Sequence, residues 1–71
     1  MYVIETDPMP KFQMDEFENW FNDNVGTEYE IESYPQGYVM VAGDIEQEEY
    51  YLIKSKLNNK VYLLWNYPSI L

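Results

Sequence analysis

Three oxygen-bearing side chains stand together near the start of the chain, where a short apolar run ends. The run MYVIE leads into Glu5, Thr6 and Asp7, and two prolines follow at positions 8 and 10. Proline removes a backbone donor and restricts the residue before it, so a strand is predicted to end here with a fixed exit. The three side chains are then expected to point outward as preorganised acceptors, which lose less entropy on binding. An ordinary turn is the alternative, because Thr and Asp are common turn residues.

A second group of carboxylates alternates with apolar residues in TEYEIESY. Glu28, Glu30 and Glu32 fall on one side, with Tyr29 and Ile31 on the other, which is typical of a half-exposed strand. Along a strand such side chains stand about 6–7 Å apart. That pitch resembles the spacing of successive phosphates on one DNA strand, so the row could imitate phosphates toward a DNA-binding groove. Protection of a sheet edge by charge is the alternative.

The composition argues against catalysis and against a resident metal or cofactor. The 71 residues include no His and no Cys, which are the usual members of nucleophile–base pairs. NDNVG misses the spacing of a calcium loop, because Phe21 stands five positions before Gly26. We therefore expect a protein that is not an enzyme and that holds no metal and no cofactor.

The charge is strongly negative and unevenly distributed. Thirteen acids against four Lys give a net charge of −9; positions 1–36 hold nine acids and one Lys, and positions 37–71 hold four acids and three Lys. This predicts one negative face, which repels nucleic acid and would attract a basic groove. Solubility alone is the alternative explanation of the acidity.

Neither a membrane span nor an export signal is predicted. No apolar run approaches the roughly 20 residues of a transmembrane helix. The segment MYVIETDPMP lacks the basic start and the long apolar middle of a signal peptide. A cytoplasmic protein without a membrane partner is expected.

The pattern predicts a single domain over residues 1–71 of the α+β class. DEFENWFNDNVG reads as a helix, with Asp15 as its cap, Glu18 as the capping-box partner and Gly26 as its stop. YPQGY predicts a turn that joins the acidic strand to a more central strand, YVMVA. Aromatic residues at helical spacing are expected to form the core, and a greasy pocket for a partner's side chain is the alternative.

Residues 44–58 are ambiguous. Asp44 and Gln47 could open a helix, whereas the YYLI run favours a strand, followed by a hairpin turn at NN. We favour the strand, which gives one main helix packed on an antiparallel sheet in the order β-α-β-β-β-β. A helix would give the ferredoxin-like order β-α-β-β-α-β.

The order of these features resembles the phage uracil-DNA glycosylase inhibitors. VIETD stands where that family has a Val-Ile run that ends in a Glu-Ser motif, and MDEFENWF matches its acidic amphipathic helix in pattern. YVMVAGD and NNKVYLL resemble its later strands. The resemblance implies a DNA mimic that occludes the DNA groove of a host uracil-DNA glycosylase, acting in the host cytoplasm if the chain is phage-encoded. The alternatives are an acidic inhibitor of another host defence or DNA-binding protein, and a non-catalytic structural or accessory module.

The resemblance also implies roles for individual residues. Glu5, Thr6 and Glu16 match positions at which the family substitutes for phosphate, and Asp7 replaces the motif's Ile. A further six positions match the family's pocket for the leucine that the enzyme inserts into DNA. They are Phe12, Phe17, Trp20, Phe21, Met40 and Ala42. These aromatic residues are bulkier than the aliphatic residues of the family.

Overall fold

Six elements make up the fold of residues 1–68, which a computed structural model describes. Residues 69–71, the end of the predicted domain, lie outside the described part. In chain order the elements are β1 (Tyr2–Thr6), α1 (Lys11–Asn24), β2 (Tyr29–Tyr34), β3 (Gly37–Ile45), α2 (Gln47–Lys56) and β4 (Val61–Asn66).

The strands form one sheet in the order β2-β3-β1-β4, and every neighbouring pair is antiparallel. The α+β class and the helix-bearing antiparallel sheet are therefore confirmed. The predicted β2–β3 hairpin is present, with β2 at an edge and β3 inside the sheet. Of the two predicted element orders, the structure has β-α-β-β-α-β, the ferredoxin-like one.

The preference for a strand over residues 44–58 was wrong, because α2 occupies most of that segment. The Glu46 side chain accepts from the backbone of Glu49, whose own side chain accepts from the Glu46 backbone N–H; together they form a capping box. Acids in the first turn and Lys54 and Lys56 in the last complement the helix dipole. These end effects outweigh the strand propensity of the YYLI run. Asp44 lies in β3 instead of capping the helix.

Two residues with positive φ end α2. Asn58 and Asn59 adopt φ values of 57° and 68°, and the Asn59 N–H donates to the Lys54 carbonyl at 2.8 Å. The expected tolerance of Asn for positive φ is confirmed. The turn that these residues make, however, joins a helix to β4 and not one strand to another.

The first helix begins four residues earlier than predicted. Pro10 occupies its N-cap with φ −61°, a backbone angle that suits a helix start. Asp15 is not the cap; its carboxylate pairs with Lys11 one turn back at 3.1 Å on the exposed surface. Gly26 ends the helix region as predicted, with φ 74° and its N–H on the Phe21 carbonyl at 2.9 Å.

The exit from β1 is held by hydrogen bonds across the sheet. The Thr6 side chain is only 1% exposed, and its Oγ1 accepts from the Met40 N–H at 3.0 Å. Met9 then exchanges two backbone hydrogen bonds with Tyr38, at 2.9 and 2.8 Å. Gly37 permits this approach, because a Cβ there would lie 2.7 Å from the Met9 carbonyl oxygen. The chain between the two prolines is thus tied to β3.

We predict that Thr6→Val destabilises the fold by about 1–3 kcal/mol, because the Met40 N–H is left buried without a partner. Thr6→Ser keeps the hydroxyl and is the matched control, with a smaller loss from the missing methyl. Urea unfolding at neutral pH gives the free energies of unfolding. Equal losses for the two variants would show that the hydroxyl contributes nothing beyond packing.

Candidate functional site

The two faces of the sheet differ, because both helices pack on the same one. One core cluster contains strand residues together with residues of both helices. Its fully buried members of 2% exposure or less are Ile4, Met14, Phe17, Phe21, Met40, Ala42, Ile45 and Ile53. Since strand side chains alternate, the residues between them point to the opposite side. We call that side the open face; it is formed by Val3, Glu5, Glu28, Glu30, Glu32, Val39, Val41 and Tyr62.

The strand register brings acids from two strands together on the open face. Val41 of β3 pairs with Glu30 of β2 on one side and with Glu5 of β1 on the other. Two strand spacings therefore separate the backbones of Glu5 and Glu30, roughly 10 Å. Glu32, which pairs with Val39, stands two residues along β2 at about 6–7 Å from Glu30. The carboxylates form a two-dimensional array and not a single row.

No basic residue lies in any of the four strands. Lys11 is on α1, Lys54 and Lys56 are on α2, and Lys60 precedes β4. The positive charges are thus concentrated on the helices and at a strand entrance. The open face has only carboxylates and neutral side chains within its strands, so it presents a potential of one sign.

Two tyrosines interact with carboxylates beside the array. The Tyr34 hydroxyl donates to Glu32 Oε2 at 2.8 Å, and this hydrogen bond raises the pKa of Tyr34. Hydrogen bonding to the Asp7 carboxylate raises the pKa of Tyr62 in the same direction. The negative charge of Glu5 adds to both shifts. The Tyr34 hydroxyl remains a donor and limits the rotation of the Glu32 carboxylate.

The same pairing recurs away from the open face. The Tyr29 hydroxyl donates to Glu18 at 2.7 Å, which raises the pKa of Tyr29. Asp44 raises the pKa of Tyr67 by accepting a hydrogen bond from its hydroxyl. A chain with thirteen acids and four Lys thus uses phenolic hydroxyls where other proteins use cations. These donors were not predicted from the sequence, although its eight tyrosines were the available signal.

A shallow depression adjoins the array at the β2 edge. It has a volume of about 280 Å³ and is lined by Glu28, Tyr29, Glu30, Val41 and Gly43. Gly43 and Val41 provide its floor from β3, and the two glutamates flank it. The depression is open, so it suits a protruding cationic group better than an enclosed apolar one.

The predicted phosphate-mimicking residues divide into two groups. Glu28, Glu30 and Glu32 are on one side of the sheet, as the alternation in TEYEIESY predicts, and Glu5 joins them through the register of β1 with β3. Asp7 follows β1, and its carboxylate raises the pKa of Tyr62, which is on the same side. Thr6 and Glu16 do not join them. The buried Thr6 hydroxyl accepts a hydrogen bond from the Met40 N–H. Glu16 is exposed on α1, which packs on the opposite face of the sheet. Contact of Thr6 with a partner is therefore a prediction that the geometry contradicts.

The expected apolar pocket is filled by the side chains that were predicted to line it. Phe17, Phe21, Met40 and Ala42 belong to the closed core. Trp20 covers that core by stacking on Phe17 at a centroid distance of 5.7 Å. The sixth residue of the set, Phe12, is 69% exposed and outside the core. A seat for an inserted leucine is therefore not formed by these six residues, because a chain of this size needs them for its interior.

Comparison with protein-family models, with curated proteins and with solved structures returns no match. Within residues 1–68 no group of three or more acidic side chains is arranged to hold a metal ion. None of the helices in the same range has the length and apolar character needed to cross a membrane.

Four tyrosines are predicted to ionise at a higher pH in the folded chain than in the unfolded chain. The free energy of unfolding should therefore decrease at alkaline pH. Tyr29, Tyr34, Tyr62 and Tyr67 have pKa values above the ordinary 10.0 in the folded chain. Because the unfolded chain then loses its phenolic protons first, their contribution to stability is complete below pH 10 and declines as the pH rises further. Denaturation at a series of alkaline pH values, with tyrosinate absorbance, measures this.

Tyr34→Phe should remove one late-ionising group and weaken the alkaline decline. Tyr38→Phe is the matched control, because no carboxylate accepts from that hydroxyl among the hydrogen bonds of residues 1–68. Titration of all eight tyrosines near pH 10 would contradict the pairing.

Proposed function

We propose that this protein is a DNA-mimic inhibitor that places its open face in the DNA-binding groove of another protein. The observation that carries the proposal is the register of Glu5 and Glu30 around Val41, with Glu32 beside them and no basic residue in the strands. A groove that binds DNA is lined by Lys and Arg, and these residues can pair with an array of carboxylates as they pair with the phosphates of DNA.

The spacing of the acids supports phosphate substitution. Along β2 the pitch of about 6–7 Å is close to that of successive phosphates. Glu5 adds a second line of charge across the sheet, roughly 10 Å away. If the charges only protected the edge of the sheet, they would be needed on the edge strand β2 alone. Glu5, however, lies on β1, which is an interior strand. Edge protection does not account for an exposed-side carboxylate in the middle of the sheet.

Preorganisation gives the array affinity at low entropic cost. Glu32 is oriented by the hydrogen bond from Tyr34, and the exit of β1 is fixed by the hydrogen bonds of Thr6 and Met9. Carboxylates held in this way lose little freedom when they meet a cationic groove. Inhibition is then stoichiometric occlusion, without turnover and without a cofactor.

A host uracil-DNA glycosylase is the first target that we propose, with action in the host cytoplasm. The choice rests on the resemblance of VIETD to the inhibitor motif, in which Glu5 keeps the matching acid. The leucine pocket of the family is not part of the proposal, and occlusion is assigned to the carboxylates. Another host defence or DNA-binding protein with a basic groove would be recognised by the same chemistry.

Purified protein added to a bacterial uracil-DNA glycosylase should stop uracil excision at a molar ratio near one. Inhibition should persist when substrate concentration is raised modestly, since the inhibitor occupies the groove itself. Full excision activity at a large molar excess would refute this target. Capture of a different DNA-binding protein from host lysate would then assign the same mechanism to that protein, provided that added duplex DNA prevents the capture.

The double variant Glu5→Gln/Glu30→Gln should weaken binding to the target by about tenfold or more, because two charges that face the groove are lost. Asp23→Asn/Glu48→Gln removes the same charge from exposed helix positions and is the matched control, with an effect below about twofold. The association rate of the wild type should also fall steeply with ionic strength. Equal effects of the two double variants would favour a non-specific charge effect and the solubility explanation.

A further inference from the structure

The two edges of the sheet are protected very differently. The β2 edge carries Glu30 and Glu32, which block strand pairing with another copy by like-charge repulsion. The β4 edge, with the sequence VYLLWN, has neither a charge nor a proline. Within residues 1–68 its outer row of backbone N–H and C=O groups has no neighbouring strand in the sheet. An edge of this kind is a template for one more strand.

Large apolar side chains are exposed along the same edge. Tyr62, Leu63, Leu64 and Trp65 are 54%, 44%, 52% and 65% exposed. Tyr62 and Trp65 are on the open face, since they pair with Glu5 and Val3, whereas Leu63 pairs with Ile4 and is on the helical side. The four side chains together present on the order of 500 Å² of mainly apolar surface. Complete burial of this surface on both copies would give roughly 1,000 Å², which is the lower bound for a specific interface. The strand itself contains no charged residue, although Glu5 is the β1 partner of Tyr62 and Lys60 precedes the strand.

We propose that β4 pairs with β4 of a second copy of this chain, in an antiparallel arrangement about a two-fold axis. The β4 edge is complementary to itself, because a two-fold contact brings the same uncharged strand of each copy together. The resulting sheet has eight strands, in the order β2-β3-β1-β4-β4-β1-β3-β2. Antiparallel partners keep their side chains on matching faces, so both open faces lie side by side and both helical layers lie on the other side.

Repulsion between two chains of charge −9 does not prevent this contact. The interior strand β1 carries the nearest strand carboxylate, Glu5, and three strand spacings separate it from Glu5 of the other copy. That distance is about 14 Å, against a screening length of about 8 Å at physiological ionic strength. Pairing through β2 would instead bring the glutamates of the two copies into direct opposition.

A β-bulge in β4 supplies a selective test. Ile4 pairs with Leu63 and Val3 pairs with Trp65, so Leu64 is the extra residue without a partner on β1. A substitution there leaves the β1–β4 ladder intact. Leu64→Lys places one positive charge on each copy at the interface, and the two charges repel across the two-fold axis.

Sedimentation equilibrium over a concentration series tests the proposal on the full chain. The wild type should approach twice the 8.6-kDa mass of one chain, and added salt should favour the dimer. Leu64→Lys and Trp65→Lys should each raise the dimer dissociation constant at least about tenfold, which corresponds to 1.4 kcal/mol. Phe12→Lys changes an equally exposed aromatic on α1 and should leave the constant within about twofold.

Hydrogen exchange locates the contact. Amides of β4 should gain protection as the concentration rises, while those of β2 should not. A wild type that remains at the mass of one chain throughout the series would overturn the proposal, and so would concentration-dependent protection confined to β2. Because salt should strengthen this dimer but weaken binding of a DNA-mimic to its target, failure of one proposal is distinguishable from failure of the other.

Discussion

The hydrogen bond from the Met40 N–H to the buried Thr6 hydroxyl is the interaction on which the arrangement of the sheet depends. It lies where β1, an interior strand, leaves its neighbour β3. There the side chain takes the place of a backbone acceptor, so no buried donor is left without a partner. A shift of one residue in this register would turn Glu5 into the core and Ile4 into solvent. The position of the acidic array is therefore set by a residue that never meets a partner.

The shortage of cations shapes the rest of the surface. Among residues 1–68 the ion pair of Lys11 with Asp15 is the one salt bridge, and it is exposed, so it adds little stability. Tyrosine hydroxyls act as donors instead, and that of Tyr34 holds Glu32 without cancelling its charge. A lysine in the same place would neutralise the array. Neutral donors thus keep the open face both ordered and negative, which is what a phosphate substitute requires.

Local patterns predicted the features that depend on local chemistry. The alternation in TEYEIESY indicated which side Glu30 occupies, and Gly26 ends the first helix as its backbone preference indicates. Asn58 and Asn59 adopt the positive φ that was expected, but they end a helix and not a strand of a hairpin. The errors arose where tertiary context decides. The YYLI run has strand propensity, but helix α2 forms because its ends are capped and its inner side covers β1. Thr6 resembled an outward acceptor because the sequence does not reveal the N–H that it must satisfy.

Displacement of bound DNA shows whether the open face takes the place of DNA in the groove. A fluorescent duplex bound to purified uracil-DNA glycosylase reports its release through a fall in anisotropy when the protein is added. Complete release is expected near one equivalent of wild type, with a several-fold excess needed for Glu5→Gln. Anisotropy that stays at the bound value in a large excess of wild type would exclude this role for the open face.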